Sequence, residues 1–143
     1  MTLRPARWSD LGLIMRWRNH DLPREAMRTH PTTEEWMDRW YLMQKLAYMI
    51  ALIQVLIGMV SCSRSGEVSI FIAPESARGR GHGLDALNQF MALATAEGID
   101  YLWAETDKPN LFRKAGFIDG ERQRNLEWAT NCDHGLKVYG PGQ

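Results

Sequence analysis

Two periodicities alternate along this chain. Apolar side chains recur at every second residue in some stretches, which is typical of strands, and at every third or fourth in others, which is typical of helices. The pattern predicts strands over residues 3–7, 47–52, 56–62, 67–72, 99–105, 117–122 and 136–139. It predicts helices over 9–19, from 32 to about 43, from 83 to about 97, and over 110–115.

Polar residues and glycines mark where several of these helices begin and end. Ser9 is the expected N-cap of the first helix. Thr32-x-x-Glu35 has the form of a capping box for the second. Gly98 is expected to end the third helix at its C′ position. The apolar side of that third helix comprises Leu84, Leu87, Met91 and Ala94.

The order of elements predicts a mixed α/β (α+β) fold. Three strands follow one another as a meander, which favours antiparallel pairing. One parallel crossover is expected, from strand 67–72 through the third helix to strand 99–105. No repeat or low-complexity linker interrupts residues 1–143, so we expect one domain with a largely antiparallel central sheet.

Residues 46–62 form a run of 17 residues in which only Gln54 and Ser61 are polar. That length is the minimum for a membrane span, but two buried strands are favoured because the run is rich in Ile, Val, Leu and Tyr. The connection at 52–56 is apolar where a hairpin tip is usually polar. We expect this tip to pack against the helices or against a second subunit in a homodimer.

Composition narrows the class of protein. The 143 residues carry 17 basic and 17 acidic side chains and are 45% hydrophobic, which argues against disorder, a nucleic-acid arm and a membrane patch. Cys62 and Cys132 form no CxxC pair, and the four histidines lack metal-ligand spacing, so no metal site is expected. The first residues lack a secretory h-region, which favours a cytoplasmic location.

The strongest chemical signal is Arg78-x-x-Gly81-x-Gly83, between a strand and an amphipathic helix. Glycines there permit a sharp turn and leave backbone N–H groups uncovered at the positive end of a helix dipole, which suits a pyrophosphate. Arg78 and Arg80 would add charge-assisted contacts. The alternatives are a structural glycine turn and a dinucleotide loop, but the latter requires a first strand ahead of it and an acidic residue about 20 positions on.

Two segments carry a family resemblance. The loop Arg78-Gly79-Arg80-Gly81-His82-Gly83 resembles the acyl-CoA pyrophosphate loop of the GNAT superfamily of N-acetyltransferases. The segment Asn110-Leu111-Phe112-Arg113-Lys114-Ala115-Gly116-Phe117 resembles a later motif of the same family. Residues 3–6 and 17–19 resemble the subgroup of ribosomal-protein N-terminal and sugar-amine acetyltransferases. The resemblance spans about residues 3–118 and implies a GNAT-like sheet with helices on both faces.

The resemblance also implies a cofactor, acetyl-CoA, and residues that bind it. The backbone of Ile70, Phe71 and Ile72 would pair with the pantetheine arm, and one N–H there would polarise the thioester carbonyl. The backbone N–H groups from Gly79 to Leu84 would hold the pyrophosphate, namely those of Gly79, Arg80, Gly81, His82, Gly83 and Leu84. Asn110 would contact the cofactor near its sulfur. The implied reaction is direct acetyl transfer to a primary amine: a protein N-terminus, an amino sugar or a small amine.

Glu105 stands five residues before Asn110, where related N-terminal acetyltransferases place a glutamate that accepts the amine proton. A protonated amine cannot attack a thioester, so some base must take that proton. The alternative is a solvated carboxylate at a strand end. The resemblance also places Phe112 among the residues that contact the cofactor, at the position of the family tyrosine that protonates the leaving thiolate, and phenylalanine has no proton to give. This difference motivates a second reading, a non-catalytic acyl-CoA-binding module.

Other candidates are weaker, and the charge is unevenly distributed. His82 in the loop, His30 beside a proline, and the residues Trp36, Trp40 and Tyr41 could contact an acceptor, but loop and core roles are favoured for them. Residues 1–30 carry six basic and three acidic side chains. Residues 97–110 carry four acidic and one basic, around Glu105 and Asp107. The second group would face a cationic amine.

Overall fold

The computed structural model describes residues 1–23, 30–106, 108–120 and 136–140. Its strands are β1 (Thr2–Pro5), β2 (Gln44–Leu52), β3 (Val55–Ser63), β4 (Val68–Ile72), β5 (Trp103–Thr106), β6 (Ile118–Asp119) and β7 (Leu136–Tyr139). Its α-helices are α1 (Leu11–Arg16), α2 (Glu34–Met43), α3 (His82–Ala96) and α4 (Pro109–Lys114). A 3₁₀ turn (Trp8–Asp10) precedes α1, and a π-helical turn (Trp17–Asp21) follows it.

The strands form two small antiparallel sheets. One has the order β1-β2-β3-β4, and the other the order β5-β7-β6. Within the described residues, a single parallel bridge between Glu67 and Trp103 joins the two sheets, so the predicted crossover through α3 is present. The bridge lies at the start of both strands, and β4 and β5 share no further ladder. The mixed fold is confirmed, with its sheet divided in two beyond this bridge.

Helices cover both faces of the first sheet because its central strands are apolar on both sides. In β2, Met49 faces α1 and α2 while Ile50 faces α3. In β3, Met59 and Val60 repeat this alternation. All four side chains are buried, and Phe90 of α3 is buried with Ile50 and Val60. The long apolar run at 46–62 is therefore two adjacent strands, as predicted.

The helix starts differ from the sequence expectation. Ser9 lies inside the 3₁₀ turn and does not cap; the carboxylate of Asp10 accepts from the backbone N–H of Arg7 at 2.7 Å instead. The second helix begins one residue later than predicted, with Thr33 as the N-cap accepting from the N–H of Trp36. Thr32 is buried and bonded elsewhere. The predicted stop at Gly98 is confirmed, since its φ is +80° and its N–H donates to Thr95.

Only the two ends of the hairpin tip at 52–56 pack against the core. Leu52 is partly buried on the α3 side and Leu56 on the side of α1 and α2. Ile53 is 89% exposed with a φ of +60°, and Val55 is 64% exposed. The expectation that the helices cover the tip is therefore wrong for its central residues. No helix among the described residues is long and apolar enough to cross a membrane. Cys132 and Asp107 lie outside the described residues, as does the predicted strand beyond residue 120.

Candidate functional site

The candidate site begins at the open edge of β4. Antiparallel partners alternate between pairs that exchange hydrogen bonds and pairs that do not. The N–H of Ala73 donates to Ile57 and that of Ser63 to Glu67, so residues 67, 69, 71 and 73 direct their backbone groups at β3. Ile70 and Ile72 direct theirs at the opposite edge, toward β5. Of the three residues predicted to meet a pantetheine arm, Phe71 uses its backbone within the sheet, and Ile70 and Ile72 present theirs at the edge.

The side chain of Phe71 lies on the helix side opposite α3. Its ring packs edge-on against Trp17, with centroids 5.9 Å apart. The backbone of β4 lies unusually close to β3 here, because a Cβ on Gly58 would collide with the carbonyl oxygen of Phe71. Gly58 therefore fixes the position of the β4 edge from behind.

The loop after β4 turns through two glycines in the left-handed region. Gly79 has a φ of +71° and Gly81 a φ of +85°. Gly81 is the N-cap of α3, and a Cβ at either glycine would meet no atom within 4 Å. The first N–H groups of a helix have no intrahelical acceptor, so those of His82, Gly83 and Leu84 are left for water or a ligand. A helix N-terminus of this kind suits an anion such as a pyrophosphate.

The two loop arginines have different surroundings. Arg78 donates from Nε to the carbonyl of Ile72 at 2.8 Å and from one Nη to the carbonyls of Ala73 and Asp21 at 2.6 and 3.0 Å. These bonds tie the loop to the end of β4 and to the π-helical turn, and they leave the other Nη for the predicted phosphate contact. Arg80 makes one bond, to the carbonyl of Ser76 at 2.8 Å, and is exposed. Arg80 is the more exposed of the two loop cations.

Helix α4 closes the far side of the loop. Leu111 lies beside the first turn of α3, since a Cβ on Gly83 would be 3.8 Å from a Leu111 methyl and 4.0 Å from Ile72. Asn110 is exposed at the start of α4, and its side-chain oxygen accepts from Arg113 at 2.9 Å. Arg113 is held in turn by a two-bond contact with Asp119. The Arg113 bond uses the side-chain oxygen of Asn110 and leaves its amide nitrogen as the group that can donate to a ligand.

Phe112 does not face the site. Its side chain is 4% exposed and packs edge-on against Phe117 at 5.1 Å, within the core beneath α3. The predicted cofactor contact of Phe112 would need an exposed side chain, and a short helix beginning at Pro109 turns this position inward. Position 112 thus supplies packing, with no hydroxyl and no exposed edge at the cleft.

Glu105 lies in β5 on the face opposite Ala104. Ala104 is buried in the core that α3 covers, so alternation puts Glu105 on the other face. It stands directly across the ladder from Lys137, whose ammonium lies 4.6 Å from the Trp103 ring centre. Glu105 thus lies within the strand, one residue before its end at Thr106, and not at the strand end that the sequence suggested.

A polar cluster near the π-helical turn was not predicted from the sequence. Asn19 holds Thr32 through two bonds, accepting its N–H at 2.7 Å and donating to its carbonyl at 3.0 Å. Arg18 donates from Nε to the Thr32 hydroxyl at 3.1 Å and stacks on Trp36 at 4.3 Å. Burial lowers the pKa of Arg18. Nearby in sequence, His30 Nδ1 is buried without a hydrogen-bond partner among the described residues.

The cluster depends on contacts between residues that are far apart in sequence, so no local pattern reveals it. Residues 18 and 19 meet residue 32 across a gap of 13 or 14 positions, which no helical or strand period reveals. The available signal was the polarity of Arg18 and Asn19 within an apolar helical stretch. Among the described residues, no group of His, Cys, Asp or Glu side chains is arranged to hold a metal ion.

Comparison with protein families gives one match. The sequence model of the family described as "Acetyltransferase (GNAT) domain" matches residues 1–117. That range contains β1 to β5, the glycine loop, Glu105 and α4. A sequence comparison with curated proteins finds no match.

Comparison of folds gives solved structures of similar size. A domain from Methanocaldococcus jannaschii has a TM-score of 0.76 at 17% identity and covers 96% of each chain. Spermidine N-acetyltransferase from Vibrio cholerae, in complex with CoA and spermine, has a TM-score of 0.70 at 16% identity, covering 96% of this chain and 92% of its own. Aminoglycoside acetyltransferase AAC(6')-Ib, in complex with coenzyme A and kanamycin, has a TM-score of 0.76 at 17% identity, covering 96% and 91%. At these identities the likeness is one of fold.

Proposed function

The chain belongs to the GNAT acetyltransferases, and from that premise we propose that it transfers the acetyl group of acetyl-CoA to a primary amine. One observation carries the proposal: the open edge of β4 is followed by a glycine loop that caps the N-terminus of α3. A strand edge followed by a helix N-terminus offers backbone groups to a pantetheine arm and N–H donors to a pyrophosphate. Structural neighbours of the chain were solved with coenzyme A.

Different residues would bind different parts of acetyl-CoA, which supplies the activated thioester. Ile70 offers its backbone N–H and carbonyl along the arm, and Ile72 offers its N–H, since the carbonyl of Ile72 accepts from Arg78. The N–H groups of His82, Gly83 and Leu84, together with Arg80, receive the pyrophosphate. Asn110 donates from its amide nitrogen near the start of α4. Gly79 and Gly81 fit this group, because a Cβ built at either would meet no atom within 4 Å and the loop backbone stays open to a ligand.

The chemistry assigned to the chain is removal of a proton and stabilisation of a negative oxygen. Glu105 accepts the proton that the amine must lose, directly or through water. A backbone N–H at the β4 edge donates to the carbonyl oxygen as charge develops on it. Burial raises the pKa of the Cys62 thiol, which makes it a poor nucleophile and favours direct transfer over an acyl-cysteine route.

A second function has its own observation. Phe112 is buried and has no hydroxyl, so the described site offers no side chain in the place of the family tyrosine. A non-catalytic acyl-CoA-binding module would fit this. Calorimetry with acetyl-CoA, followed by thiol release across an amine panel, separates the two. Binding with turnover supports the enzyme, binding without turnover supports the module, and no binding contradicts both.

A further inference from the structure

Arg18 is a cation held in place without a counter-charge. Its Nε is bound by Thr32 and its plane lies on Trp36, which together fix the guanidinium while leaving both terminal nitrogens for another partner. Within the described part of the chain, no carboxylate pairs with it and no hydrogen bond uses those nitrogens. A half-buried charge of this kind is costly unless an anion meets it.

The position of Arg18 connects it with the cofactor side of the molecule. It lies in the π-helical turn, a structure frequently found at functional sites. Trp17, on one side of it, packs on Phe71 of β4. Asp21, at the end of the same turn, accepts a bond from Arg78 of the glycine loop. Arg18 thus lies between two contacts with the elements assigned to acetyl-CoA, on the sheet face away from α3.

A second orphaned group lies close by along the chain. His30 Nδ1 is buried with no hydrogen-bond partner among the described residues, two positions before Thr32, which holds Arg18. A buried polar nitrogen without a partner is rare and calls for an explanation. The segment that holds Arg18 therefore contains a second polar group whose hydrogen-bonding capacity is unused among the described residues.

We propose that the acceptor amine carries an oxyanion, a carboxylate or a phosphate, and that Arg18 binds it. This proposal rests on the proposed acetyl transfer and names its substrate class. The guanidinium presents two parallel N–H donors, which match the geometry of either oxyanion. It follows that polycationic amines such as spermine, which a Vibrio cholerae neighbour binds, are poor acceptors for this chain.

The first experiment uses matched acceptors and the full chain. Thiol release from acetyl-CoA is measured with amino acids against their carboxamides, with an amino-sugar phosphate against the free amino sugar, and with spermine. We expect kcat/KM to be about 10- to 100-fold higher for the anionic member of at least one pair. The pair that shows the preference identifies carboxylate or phosphate. Equal rates for both members of each pair, or a preference for spermine, would overturn the proposal.

Single-residue variants then show which side chain causes the preference for the anionic acceptor. Arg18→Met should remove it while leaving the KM for acetyl-CoA within about twofold. Arg16→Gln is the matched control, since Arg16 is an exposed cation two positions away, and it should retain the preference. Retention of the preference in folded Arg18→Met protein would contradict the assignment of the anion to Arg18. If Arg18→Met does not fold, Trp36→Leu tests the same site and should reduce the preference.

A binding arm separates this proposal from the proposed activity. Calorimetry with N-acetyl amino acids and their amides needs no turnover, because the acid carries the carboxylate and neither probe has a nucleophilic amine. We expect the acid to bind wild type and the Arg16→Gln variant at least tenfold more tightly than the amide, and Arg18→Met to bind both alike. Selective binding without any turnover would contradict the enzyme but keep the anion site. Turnover without anion selectivity in either the kinetic or the binding experiment would support the enzyme and contradict the anion site.

Discussion

The guanidinium of Arg78 joins the first residue of the glycine loop to Ile72, the last residue of β4, through a bond of 2.8 Å. The same side chain reaches Ala73 and Asp21, so one cation holds three backbone segments that come together only in the folded chain. The loop is therefore positioned from within the protein before any ligand arrives.

Removing this contact should affect both stability and binding. We expect Arg78→Gln to lower the free energy of unfolding by about 1–3 kcal/mol, because three carbonyls lose a charged donor. The KM for acetyl-CoA should rise as the loop loses its fixed position. Arg80→Gln is the control, with a single exposed bond, and should leave stability within about 0.5 kcal/mol. Denaturant unfolding and steady-state kinetics measure the two effects, and equal stability losses for both variants would contradict this role of Arg78.

Charge placed at the open loop should block the cofactor. Gly81→Glu puts a carboxylate where the pyrophosphate would lie, and we expect at least a 100-fold loss of acetyl-CoA affinity by calorimetry. Gly98→Glu is a matched control at the other end of α3, with φ of +80° against +85° and the same open space around its Cβ. The control should bind normally although it bears the same backbone strain. Undiminished binding by Gly81→Glu would refute the loop assignment.

Loss of the proposed base should change the rate and its pH dependence. Glu105→Gln is expected to lower kcat by about 10²–10⁴-fold without changing acetyl-CoA affinity. The residual rate should rise about tenfold per pH unit below the pKa of the acceptor amine, because only the neutral amine then reacts. Glu97→Gln, an exposed carboxylate at the end of α3, serves as control. A Glu105→Gln variant with the wild-type rate and pH profile would exclude this residue as the base.

The ion pair of Arg4 and Asp10 should make stability depend on pH. The Arg4 guanidinium lowers the pKa of Asp10 through two bonds of 2.8 Å, so the pair stabilises the fold above the unfolded pKa of about 4 and is lost as pH falls through the lower folded value. Asp10→Asn should cost about 1–3 kcal/mol at pH 7 and progressively less toward pH 2. Asp119→Asn removes a similar but fully exposed pair and should cause no resolvable change. Unfolding curves from pH 2 to 7 test both.

The hairpin tip offers a gain of stability. Ile53 has a φ of +60°, which a β-branched residue adopts only with strain, and Ile53→Gly should raise the free energy of unfolding by about 0.5–1 kcal/mol. Ile53→Val keeps the strain and should show no gain.

Sedimentation at several dilutions tests whether the hairpin tip is the contact of the expected homodimer. A protein that stays monomeric at every dilution would contradict the expectation that a second subunit covers the tip. A wild-type dimer that Ile53→Gly dissociates would support that expectation.

Much of this fold could be predicted because its signals are local. The apolar runs of β2 and β3, the glycine stop of α3 and the loop before it are each encoded within a few neighbouring residues. The backbone alternation of β4 follows once its pairing with β3 is known. These features place Ile70, Ile72, Gly81 and their neighbours at one site.

The remaining features depend on contacts between distant residues. Spacing within Asn110–Phe112 does not tell which side chain turns toward the core, and Phe112 turns inward because it meets Phe117. Thr32 resembled a cap but bonds Asn19 across 13 positions, which moves the cap to Thr33. Arg78 is a predicted phosphate ligand, and only the folded chain brings the carbonyl of Asp21 within its reach.

The bridge between Glu67 and Trp103 is a pivot about which β4 can tilt relative to β5. Strand β4 extends five residues beyond that pivot, about 17 Å, so a tilt of about 5° there displaces Ile72 by roughly 1.5 Å. Gly66 lies at the pivot against the carbonyl of Tyr101, with no room for a Cβ. A substitution at this remote glycine would therefore alter the width of the cleft at its functional end, and with it the affinity for acetyl-CoA.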